Sequence, residues 1–532
     1  MRLDKVYIDG FKNLRQLEVD FDERKLTTVL IGQNGAGKSN LIEALARIFR
    51  HVDLRDQTLR FRYRVQYRIQ PRTAKAGQFA CVVLSNLPDE HPITINGEKV
   101  SRTEFEKNKS EWFPDLVFGY YSGNGRRLEQ IFDKHQSNYY KAIATNNDPA
   151  ACFEALQSRR LFYCRPLHGV FALLTQLVFS NDPTRKLLRE TVKIQDFHSA
   201  LCLLHAPWYA KGGQAVKLKQ AGDFWKAGGP AGKTARLLKD MAFHPFGLVG
   251  NAVQDYRDKK QDEVQFGVFL KDQSALEQMR DEFSDDADMF YALEAMDVSD
   301  LIRDFNIWVT RDTGDGEEVE YSDLSDGERQ LLMVMGLLRV ARGKRVLFLL
   351  DEPDTHLNPH WQHSYLRLLE QWTEQVADAD NCHILLTSHN PLTICGLTKS
   401  EVRVLFSEQG TDVTLAEEPF TDPRGLGIGG VLTDVFGMPT TLDQPTLDLI
   451  NSRNRLAKLA ELDQVQTQAL ERINEQLREF GFMYEERDAL YRSFLREMDD
   501  IELRDSTPRT PQRLRAQDEL VKKVVAQLVL HK

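Results

Sequence analysis

The clearest chemical pattern in this chain is a glycine-rich loop near its amino end. The loop fits the spacing G-x-x-x-x-G-K-[ST], follows a β-rich run at 26–31 and precedes a segment of helical period at 40–49. Glycines let backbone N–H groups converge on phosphate oxygens, and the following helix adds its positive end. We predict that Lys38 reaches the β- and γ-phosphates of a nucleotide and that Ser39 holds Mg²⁺. The predicted nucleotide-binding residues here are Gly32, Gln33, Asn34, Gly35, Ala36, Gly37, Lys38, Ser39 and Asn40.

A second chemical pattern lies at the end of an apolar run later in the chain. Residues 346–350 are continuously apolar, as expected of a parallel strand buried on both faces, and Asp351 and Glu352 follow at once. A carboxylate in this place can bind Mg²⁺, directly or through water, and its neighbour can polarise an attacking water molecule. We therefore predict that Asp351 joins Ser39 as a metal ligand and that Glu352 acts as a general base.

Three further motifs indicate the family. The run Leu324-Ser325-Asp326-Gly327-Glu328-Arg329-Gln330 lies upstream of the Asp351 strand, the segment 353–358 follows it, and His389 comes after another short strand. In this order and context the motifs resemble the signature, D-loop and switch histidine of ABC-type ATPases, in the branch that contains SMC, RecF and OLD-like proteins. The resemblance covers residues 1–120 and 304–416. It implies an α/β fold with an ABC-type P-loop ATPase head.

The resemblance also implies how such a site works. In this superfamily two heads enclose two ATP molecules, each held between the P-loop of one copy and the signature motif of the other. The implied cofactors are ATP and Mg²⁺, and the implied assembly is a head-to-head dimer or a higher even oligomer. The residues that would contact the partner copy's nucleotide are Ser325, Gly327 and Glu328. The implied catalytic residues are Lys38, Glu352 and His389, of which the histidine senses the γ-phosphate.

One motif of the family departs from its usual form. The family places a glutamine after a strand of the first lobe. The strand ending at Tyr121 continues into 122–124, which holds no glutamine. Gln130 is the candidate, and the identity of this residue stays open.

The chain lacks the nuclease that related heads often carry. No D-x-D pair of a Toprim domain follows His389, and 390–530 contains no histidine, which removes His-dependent nuclease sites from the last third. A head of this kind with a compact insertion resembles the PtuA-type ATPase subunits of Septu and retron-associated antiphage systems, and 118–123 and 432–437 look like segments of those proteins. The resemblance implies a separate HNH-type nuclease as partner and, in retrons, a reverse transcriptase with its DNA–RNA product.

These patterns predict a function and leave two alternatives open. We predict an ATP-binding and hydrolysing subunit of a bacterial antiphage complex that senses nucleotide or nucleic acid and controls a separate nuclease. The first alternative is a RecF-like ATPase that binds DNA ends or serves in DNA repair. The second is a regulatory module that holds ATP with little turnover.

Length and composition limit the classes to which this protein can belong. The chain has 532 residues, 42% hydrophobic and 28% charged, which is typical of a globular protein of two to four structural units. No window approaches the roughly 20 apolar residues of a membrane span, so no membrane partner is expected. The six cysteines are widely spaced without a C-x-x-C pair, which fits a reducing cytoplasm.

Charge is segregated along the chain. The formal net charge of −10 excludes an overall basic coat, but 60–75 holds six basic residues and no acidic one, and 211–239 holds seven against one acid. Eight acidic residues lie within 281–300, and another eight lie within 312–328. Solvated faces are the simplest interpretation. The residues that we predict to contact nucleic-acid phosphates are Arg62, Arg64, Arg68, Lys217, Lys219, Lys226 and Lys233.

The pattern of elements divides the chain into four parts. We predict an N-terminal ATPase lobe at 1–129, a mainly helical insertion at 130–303, a C-terminal ATPase lobe at 304–420 and a C-terminal helical docking region at 421–532. The apolar residues of 447–477 recur at helical spacing, which fits either a self-packed hairpin or a partner surface. A second glycine-rich run at 228–234 lacks the first required glycine and a preceding strand, so it does not predict another nucleotide site.

Overall fold

Three β-sheets form the framework of the computed structural model. The structure describes residues 1–55, 59–75, 77–123, 125–144, 146–251, 262–312, 317–376, 381–407, 411–457, 459, 462–482 and 510–530. Among the helices of these residues, none has both the length and the apolar character that a membrane crossing requires.

The central sheet carries the glycine-rich loop. Its strands are β3 (Thr27–Gly32), β8 (Leu116–Tyr121), β9 (Leu161–Tyr163), β15 (Val346–Asp351), β16 (Cys382–Thr387), β17 (Val402–Ser407) and β18 (Thr414–Glu417). They lie in the order β18-β17-β3-β16-β15-β8-β9, and all pairs are parallel except β17 with β18. Every residue of β3, β15 and β16 is buried, as expected when both faces are covered. The loops that follow these three strands therefore meet at one edge of the sheet.

A second sheet packs on the first and is antiparallel. Its strands are β1 (Arg2–Asp9), β2 (Leu17–Asp20), β4 (Arg62–Ile69), β5 (Ala80–Ser85), β6 (Ile93–Ile95) and β7 (Glu98–Lys99), in the order β2-β1-β4-β5-β6-β7. Strand β4 buries every second residue and turns its arginines outward, as the alternation of apolar and polar residues at 61–70 indicates. Together the two sheets give the predicted α/β architecture of a P-loop ATPase head.

The insertion contains a third sheet that the sequence pattern did not predict. Its strands are β10 (Ile194–His205), β11 (Phe246–Asn251), β12 (Asp262–Leu270), β13 (Ile302–Arg311) and β14 (Glu318–Glu320), in the antiparallel order β11-β12-β10-β13-β14. The expectation of a mainly helical insertion missed this sheet. Strand β13, which was expected to belong to the C-terminal lobe, pairs with β10 of the insertion. The strands were missed because their apolar residues have partners only across long sequence separations.

Helices cover all three sheets. In the described residues they are α1 (Lys38–Leu54), α2 (Arg102–Lys107), α3 (Lys109–Trp112), α4 (Glu129–Ile143), α5 (Pro149–Ser158), α6 (Pro166–Val178), α7 (Asp182–Val192), α8 (Gln214–Ala221), α9 (Gly229–Met241), α10 (Gln273–Glu282), α11 (Asp286–Val298), α12 (Asp326–Val340), α13 (Pro359–Val376), α14 (Pro391–Ile394), α15 (Gly427–Gly430), α16 (Gln444–Ala457), α17 (Gln464–Glu479) and α18 (Pro511–Leu530). Helix α9 begins within the second glycine-rich run, so that run forms the start of a helix.

The insertion shares its hydrophobic core with the ATPase head. Phe348 of β15 lies 5.5 Å from Phe118 of β8, and Phe118 stacks at 5.5 Å on Phe162 of β9. Phe162 in turn contacts Phe290 of α11, which contacts Phe171 of α6, with ring centroids about 6 Å apart. Such aromatic pairs contribute beyond the area that they bury. The head and the insertion are therefore continuous in packing, although the sequence suggests separate units.

The C-terminal region is helical where the structure describes it. Helices α16 and α17 pack on each other, and most of their apolar residues are half-buried in this pair. The stretch 507–511, whose two prolines suggest a linker, lies mostly outside the described residues, which resume at 510. Helix α18 returns to the head, where Arg515 pairs with Glu417 of β18 at 3.4 Å and Gln512 donates to the same carboxylate.

Arg345, next to the first residue of β15, ties the two head sheets together. Its side chain is almost fully buried, hydrogen-bonds both carboxylate oxygens of Asp115 at 2.6 and 3.0 Å, and donates to several backbone carbonyls. Burial alone would raise the pKa of Asp115, but the hydrogen bonds and charge of Arg345 outweigh it and hold that pKa below its usual value. Arg72, the second partner of Asp115, is largely exposed.

Arg345→Met is therefore expected to lower the free energy of unfolding by about 3–5 kcal/mol, because it leaves a buried carboxylate without its main partner. Urea denaturation at neutral pH measures this loss. A depressed carboxyl pKa gives stability that is present above about pH 4 and lost as pH falls, so the difference from wild type should shrink in acid. Arg367→Met, on an exposed position of α13, is the control and should stay within about 0.5 kcal/mol of wild type. Equal losses in both variants would contradict this assignment.

Candidate nucleotide-binding site

The glycine-rich loop adopts a conformation that needs glycine at three positions. Gly32, Gly35 and Gly37 have φ values of 142°, 84° and 105°. A side chain at Gly32 would lie 2.2 Å from the carbonyl oxygen of Leu405, and one at Gly37 would meet the side chain of Leu14 at 2.5 Å. Gly37 also caps α1 with backbone only. The loop and the first turn of α1 therefore present backbone N–H groups without side chains in the way, as phosphate binding requires.

Lys38 is folded over this loop. Its Nζ donates to the carbonyl oxygens of Gly32 at 2.7 Å and Gln33 at 3.1 Å. Burial lowers the pKa of Lys38 to about 8, although the nearby carboxylates of Glu352 and Asp351 act in the opposite direction. A nucleotide phosphate would replace the two carbonyls as the partner of this ammonium and favour its charged form.

Ser39 and Asp351 lie side by side, as a shared metal ligand pair requires. The Ser39 hydroxyl donates to Oδ1 of Asp351 at 2.9 Å, and the hydroxyl of Thr387 donates to the same oxygen at 2.7 Å. Burial raises the pKa of Asp351, and these two hydrogen bonds oppose the rise. A hydroxyl and a buried carboxylate are hard oxygen donors of the kind that Mg²⁺ prefers, so the residues present fit the ion.

Glu352 and His389 form a pair at the same edge of the sheet. Nε2 of His389 lies 3.1 Å from Oε1 of Glu352, and both side chains are partly open to solvent. Burial and the charge of Lys38 lower the pKa of His389, while Glu352 opposes them. The backbone of Glu352 has a φ of 54°, and its N–H donates to Thr387 Oγ1 at 2.9 Å. The carboxylate of Glu352 therefore lies next to the Ser39–Asp351 pair, where water can reach it.

Two residues that the sequence did not single out organise this edge. Thr387, the last residue of β16, contacts both Asp351 and the backbone of Glu352. Asp354 is 2% exposed and accepts hydrogen bonds from Ser388 at 2.6 Å and Thr393 at 2.5 Å, and its burial raises its pKa. These contacts join the loops after β15 and β16. The signal in the sequence that could have pointed to Thr387 and Asp354 is that both are polar residues at or just after the ends of β15 and β16.

The signature motif forms the start of α12. Ser325 is the N-cap: its hydroxyl accepts from the N–H of Glu328, while the Glu328 carboxylate accepts from the N–H of Ser325. The same carboxylate pairs with Arg311 at the end of β13. Ser325 is exposed, whereas Gly327 is buried against the loop after β15. The capping box thus presents an exposed helix start, and no hydrogen bond recorded among the described residues joins it to the P-loop of the same chain.

Gly327→Ala is expected to disturb this arrangement. A Cβ at Gly327 would lie 2.6 Å from the backbone carbonyl oxygen of His356, which cannot move aside as a side chain can. Overpacking of this kind costs about 1–3 kcal/mol, and we expect a matching loss of stability together with lower ATP turnover. Thermal unfolding and a phosphate-release assay measure the two effects. Gly343→Ala, at a turn with open space around the glycine, tests backbone strain alone and should leave turnover unchanged.

Among the described residues that follow β8, no glutamine side chain is recorded in contact with Ser39 or Asp351. The N–H of Ser122 donates to the carbonyl oxygen of Asp351 at 3.2 Å, so the end of β8 lies beside the Ser39–Asp351 pair. Gln130, the candidate from sequence, is exposed in the first turn of α4. Arg127 instead reaches Glu43, a buried carboxylate on α1 about one turn after Ser39, with an Nε–Oε2 distance of 3.0 Å.

The basic strand is less free than its sequence suggests. Arg68 pairs with Asp4 at 3.2 Å and with Glu23 at 2.8 Å, and Arg64 lies 3.5 Å from Glu90. Arg62 faces Asp9 across the β1–β4 pair. These carboxylates, supplied by neighbouring strands and loops, offset the charge that 60–75 carries in isolation, so this face is a weaker candidate for phosphate contacts than the sequence indicates.

The insertion lysines are placed differently. Lys217 and Lys219 lie on α8, Lys226 follows that helix, and Lys233 lies on α9. All but Lys217 are exposed, and no ion pair is recorded for any of the four in the described part of the chain. They therefore remain candidates for contact with an anionic partner.

Comparison with known families supports a nucleotide-binding head. A model described as "AAA ATPase domain" matches residues 1–153. A model described as "AAA domain, putative AbiEii toxin, Type IV TA system" matches residues 238–394. The first range contains the P-loop, and the second contains the signature motif, Asp351, Glu352 and His389.

Three curated relatives match shorter stretches. The Septu protein PtuA of Bacillus mycoides (strain KBAB4) is 26% identical over 121 residues, 21% of this chain and 16% of that protein. The retron Ec83 probable ATPase of Escherichia coli is 31% identical over 58 residues, 11% of each chain. The DNA replication and repair protein RecF of Synechocystis sp. (strain ATCC 27184 / PCC 6803 / Kazusa) is 45% identical over 62 residues, 11% of this chain and 16% of that protein. In each case the chain spans under a fifth of the relative's length. The matches relate stretches of the chain to RecF, to the Septu protein PtuA and to a probable retron ATPase.

Proposed function

We propose that this SMC/RecF-like ATPase, related to ATPases of antiphage systems, binds and hydrolyses ATP with Mg²⁺ as the regulatory subunit of a defence complex. The observation that carries the proposal is the convergence of the P-loop lysine, the Ser39–Asp351 pair and the Glu352–His389 pair at one edge of the central sheet. These groups come from three strands far apart in sequence, and together they supply what phosphoryl transfer to water needs.

Each residue has a defined task in this proposal. The backbone of the glycine-rich loop and Lys38 bind the β- and γ-phosphates and neutralise charge that develops during transfer. Ser39 and Asp351 would hold Mg²⁺, which supplies electrostatic stabilisation of the phosphates when bound. Glu352 accepts a proton from the attacking water. His389, 3.1 Å from Glu352, orients that carboxylate and lies where it can sense the γ-phosphate.

We further propose that the active form is a head-to-head dimer or a higher even oligomer. The exposed start of α12, with Ser325 at its tip, leaves the N–H groups of Asp326 and Gly327 outside the capping box, and the N-terminus of a helix favours an anionic phosphate. Because this helix start makes no recorded contact with the P-loop of its own chain, a second copy would bring it to the nucleotide. Sedimentation of the Glu352→Gln protein with and without ATP tests this assembly, and an ATP-independent monomer would contradict it.

The relationship to PtuA and to the retron ATPase supports a role in antiphage defence. We propose a separate HNH-type nuclease as the partner, docked in part on the α16–α17 pair, and, in a retron setting, a reverse transcriptase with its DNA–RNA product. Co-expression with any HNH-type nuclease encoded beside this gene, followed by size-exclusion chromatography, tests the partnership. A stable complex whose nuclease is inactive until ATP turnover is disturbed is the expected result. Strong nuclease activity of this chain by itself would contradict the proposal.

The RecF match favours one other function, an ATPase that binds DNA. That function predicts ATP-dependent binding of DNA by the isolated protein, with log affinity falling linearly with log salt. Fluorescence anisotropy with a short duplex, at several salt concentrations, decides between the two proposals. Tight ATP-dependent binding without any nuclease partner would favour the RecF-like function.

If the insertion contacts nucleic acid, the exposed lysines should carry that contact. The triple substitution Lys219→Glu, Lys226→Glu and Lys233→Glu is expected to weaken binding. The slope of log affinity against log salt concentration should become less steep by about 0.9 for each phosphate that the variant no longer neutralises. A matched control reverses three exposed lysines elsewhere on the insertion, namely Lys134, Lys141 and Lys186. Binding that is unchanged in the first triple, or reduced equally in both, would remove these lysines from the interface.

A further inference from the structure

The antiparallel sheet of the insertion has one covered face and one open face. On β10, Ala200, Cys202 and Leu204 are fully buried in a hydrophobic core, and helices α7, α8, α9 and α10, which pack on this sheet, contribute to the same core. Leu201 and Leu203 alternate with these residues and therefore lie on the other side of the sheet. They are only half-buried and lie outside both hydrophobic cores of the described residues. We call this second side the open face.

The open face is apolar across four strands. Residues opposite each other in paired strands lie on the same face, and Phe246 of β11 lies opposite Gly267, which lies opposite Leu203 of β10. The ring of Phe246 covers that glycine, because a Cβ there would lie 2.6 Å from its Cζ. In the next row Phe269 lies opposite Leu201. The apolar residues of the open face, which lie outside both cores of the described residues, are Leu201, Leu203, Phe246, Leu248, Phe269 and Trp308.

This composition is unusual for the exposed side of an antiparallel sheet, which is commonly polar. Phe246 is 40% exposed, and the other five residues are partly exposed. Contiguous exposed apolar patches mark surfaces that bind a partner. Four strands at about 4.8 Å spacing span about 14 Å, which is close to the diameter of one α-helix with its side chains, about 10–12 Å. A single helix would therefore cover the open face.

Carboxylates lie along the β13–β14 edge of the open face. Asp304 of β13 lies opposite Leu203, and Glu320 of β14 lies opposite Trp308. Strand β14 belongs to the acidic stretch 312–328, so further carboxylates flank it on both sides. Within the described residues, no ion pair is recorded for Asp304, Asp312, Glu317, Glu320 and Asp323.

The cations near the opposite end of the open face are already engaged. His205 and Arg303 contact the carboxylate of Glu263, with N–O distances of 3.0 and 3.2 Å. The charge left without a partner at this surface is therefore negative. Such a potential attracts a cationic partner and repels the phosphates of a nucleic acid. Among macromolecules, a protein with lysines or arginines beside an apolar strip fits the open face.

We propose that the open face binds a basic amphipathic helix of a partner protein. The apolar side of the helix would pack on the six residues named above, and its lysines or arginines would pair with Asp304 and Glu320. Asp323 lies two residues before Ser325, so the bound helix would lie close to the start of α12. The proposal does not depend on the proposed function of the nucleotide site.

Fluorescence anisotropy of the full-length chain with a labelled peptide tests the site. The probe is two repeats of Leu-Lys-Lys-Leu-Leu-Lys-Leu, which places leucines on one side of a helix and lysines on the other. We expect saturable binding of this peptide. The same peptide with glutamates in place of its lysines should bind at least about tenfold more weakly, because the acidic edge repels it.

Two pairs of variants separate the apolar contact from the charge. Phe246→Ser with Leu248→Ser should weaken binding of the lysine peptide at least about tenfold, whereas Phe153→Ser with Leu442→Ser, at exposed apolar positions elsewhere, should leave it unchanged. Asp304→Lys with Glu320→Lys should weaken the lysine peptide similarly and strengthen the glutamate peptide. Asp281→Lys with Glu282→Lys makes the same change of charge at exposed positions of α10 and is its control.

Circular dichroism checks that each variant stays folded. Absence of saturable binding, equal affinity for the two peptides, or binding that the open-face variants reduce no more than their controls would overturn the proposal. Sedimentation of the chain without peptide supplies a further test. Self-association that Phe246→Ser with Leu248→Ser abolishes would identify a second copy as the occupant and overturn the assignment of a partner helix.

Discussion

Glu352→Gln is expected to reduce ATP turnover by about 10²–10⁴-fold, the usual contribution of a general base. The amide keeps the size and the hydrogen-bonding reach of the side chain but cannot accept the proton of the attacking water. The position of Glu352 beside His389, at 3.1 Å, and next to Asp351 fits our proposal that it lies at the γ-phosphate end of the site. Since the P-loop, Lys38 and the Ser39–Asp351 pair are untouched, ATP should still bind, and the bound state should persist.

A single-turnover assay with radiolabelled ATP measures the chemical step, and equilibrium dialysis measures binding. Glu277→Gln, at an exposed position of α10, is the matched control and should keep wild-type turnover. Full turnover in Glu352→Gln would show that another group activates the water. If the chain instead works as a regulatory module that scarcely turns ATP over, control of the partner nuclease would survive Glu352→Gln and be lost in Lys38→Ala.

Lys38→Ala is expected to weaken ATP binding itself. Lys38 is held over the loop by two backbone carbonyls, at 2.7 and 3.1 Å, in the place where the β- and γ-phosphates would lie. Two charge-assisted hydrogen bonds to phosphate contribute about 1.5–3 kcal/mol each, so affinity should fall by about 10²–10⁴-fold. Turnover at cellular ATP concentrations should fall at least as far, because the same charge stabilises the transition state.

Binding of a fluorescent ATP analogue, read by anisotropy, checks this expectation. Lys186→Ala on α7 removes an exposed lysine far from the loop and is the control. Affinity within a few-fold of wild type in Lys38→Ala would mean that the loop's backbone alone binds the phosphates, which would leave the lysine a structural role. Lys38→Ala and Glu352→Gln thus separate binding from chemistry.

The sequence singled out most residues of the candidate nucleotide site because the pattern that marks them is local. The glycine spacing, the apolar strand before Asp351 and the order of the later motifs each depend on neighbours within a few residues, and the structure brings these residues to one edge of the sheet. Thr387 was missed although it contacts both Asp351 and Glu352. Nothing in a strand's own sequence shows which residue of the next strand its hydroxyl will reach.

The charge pattern of β4 could not be interpreted from its own residues. The arginines of β4 form a basic face in the sequence pattern. In the structure, Arg64 and Arg68 pair with carboxylates from other strands and loops, namely Asp4, Glu23 and Glu90. Such pairing depends on the tertiary fold, so net charge over a window overstates the potential of a surface. The insertion lysines have no recorded ion pair of this kind in the described residues, and they remain the better candidates.

By itself, then, the sequence determined the P-loop head, its motifs and the alternating strand β4, because period and spacing are properties of contiguous residues. Only the tertiary structure decided that the insertion contains an antiparallel sheet and that it shares an aromatic core with the head. Strand pairing and packing join residues that lie far apart in the chain, and no local pattern carries that information.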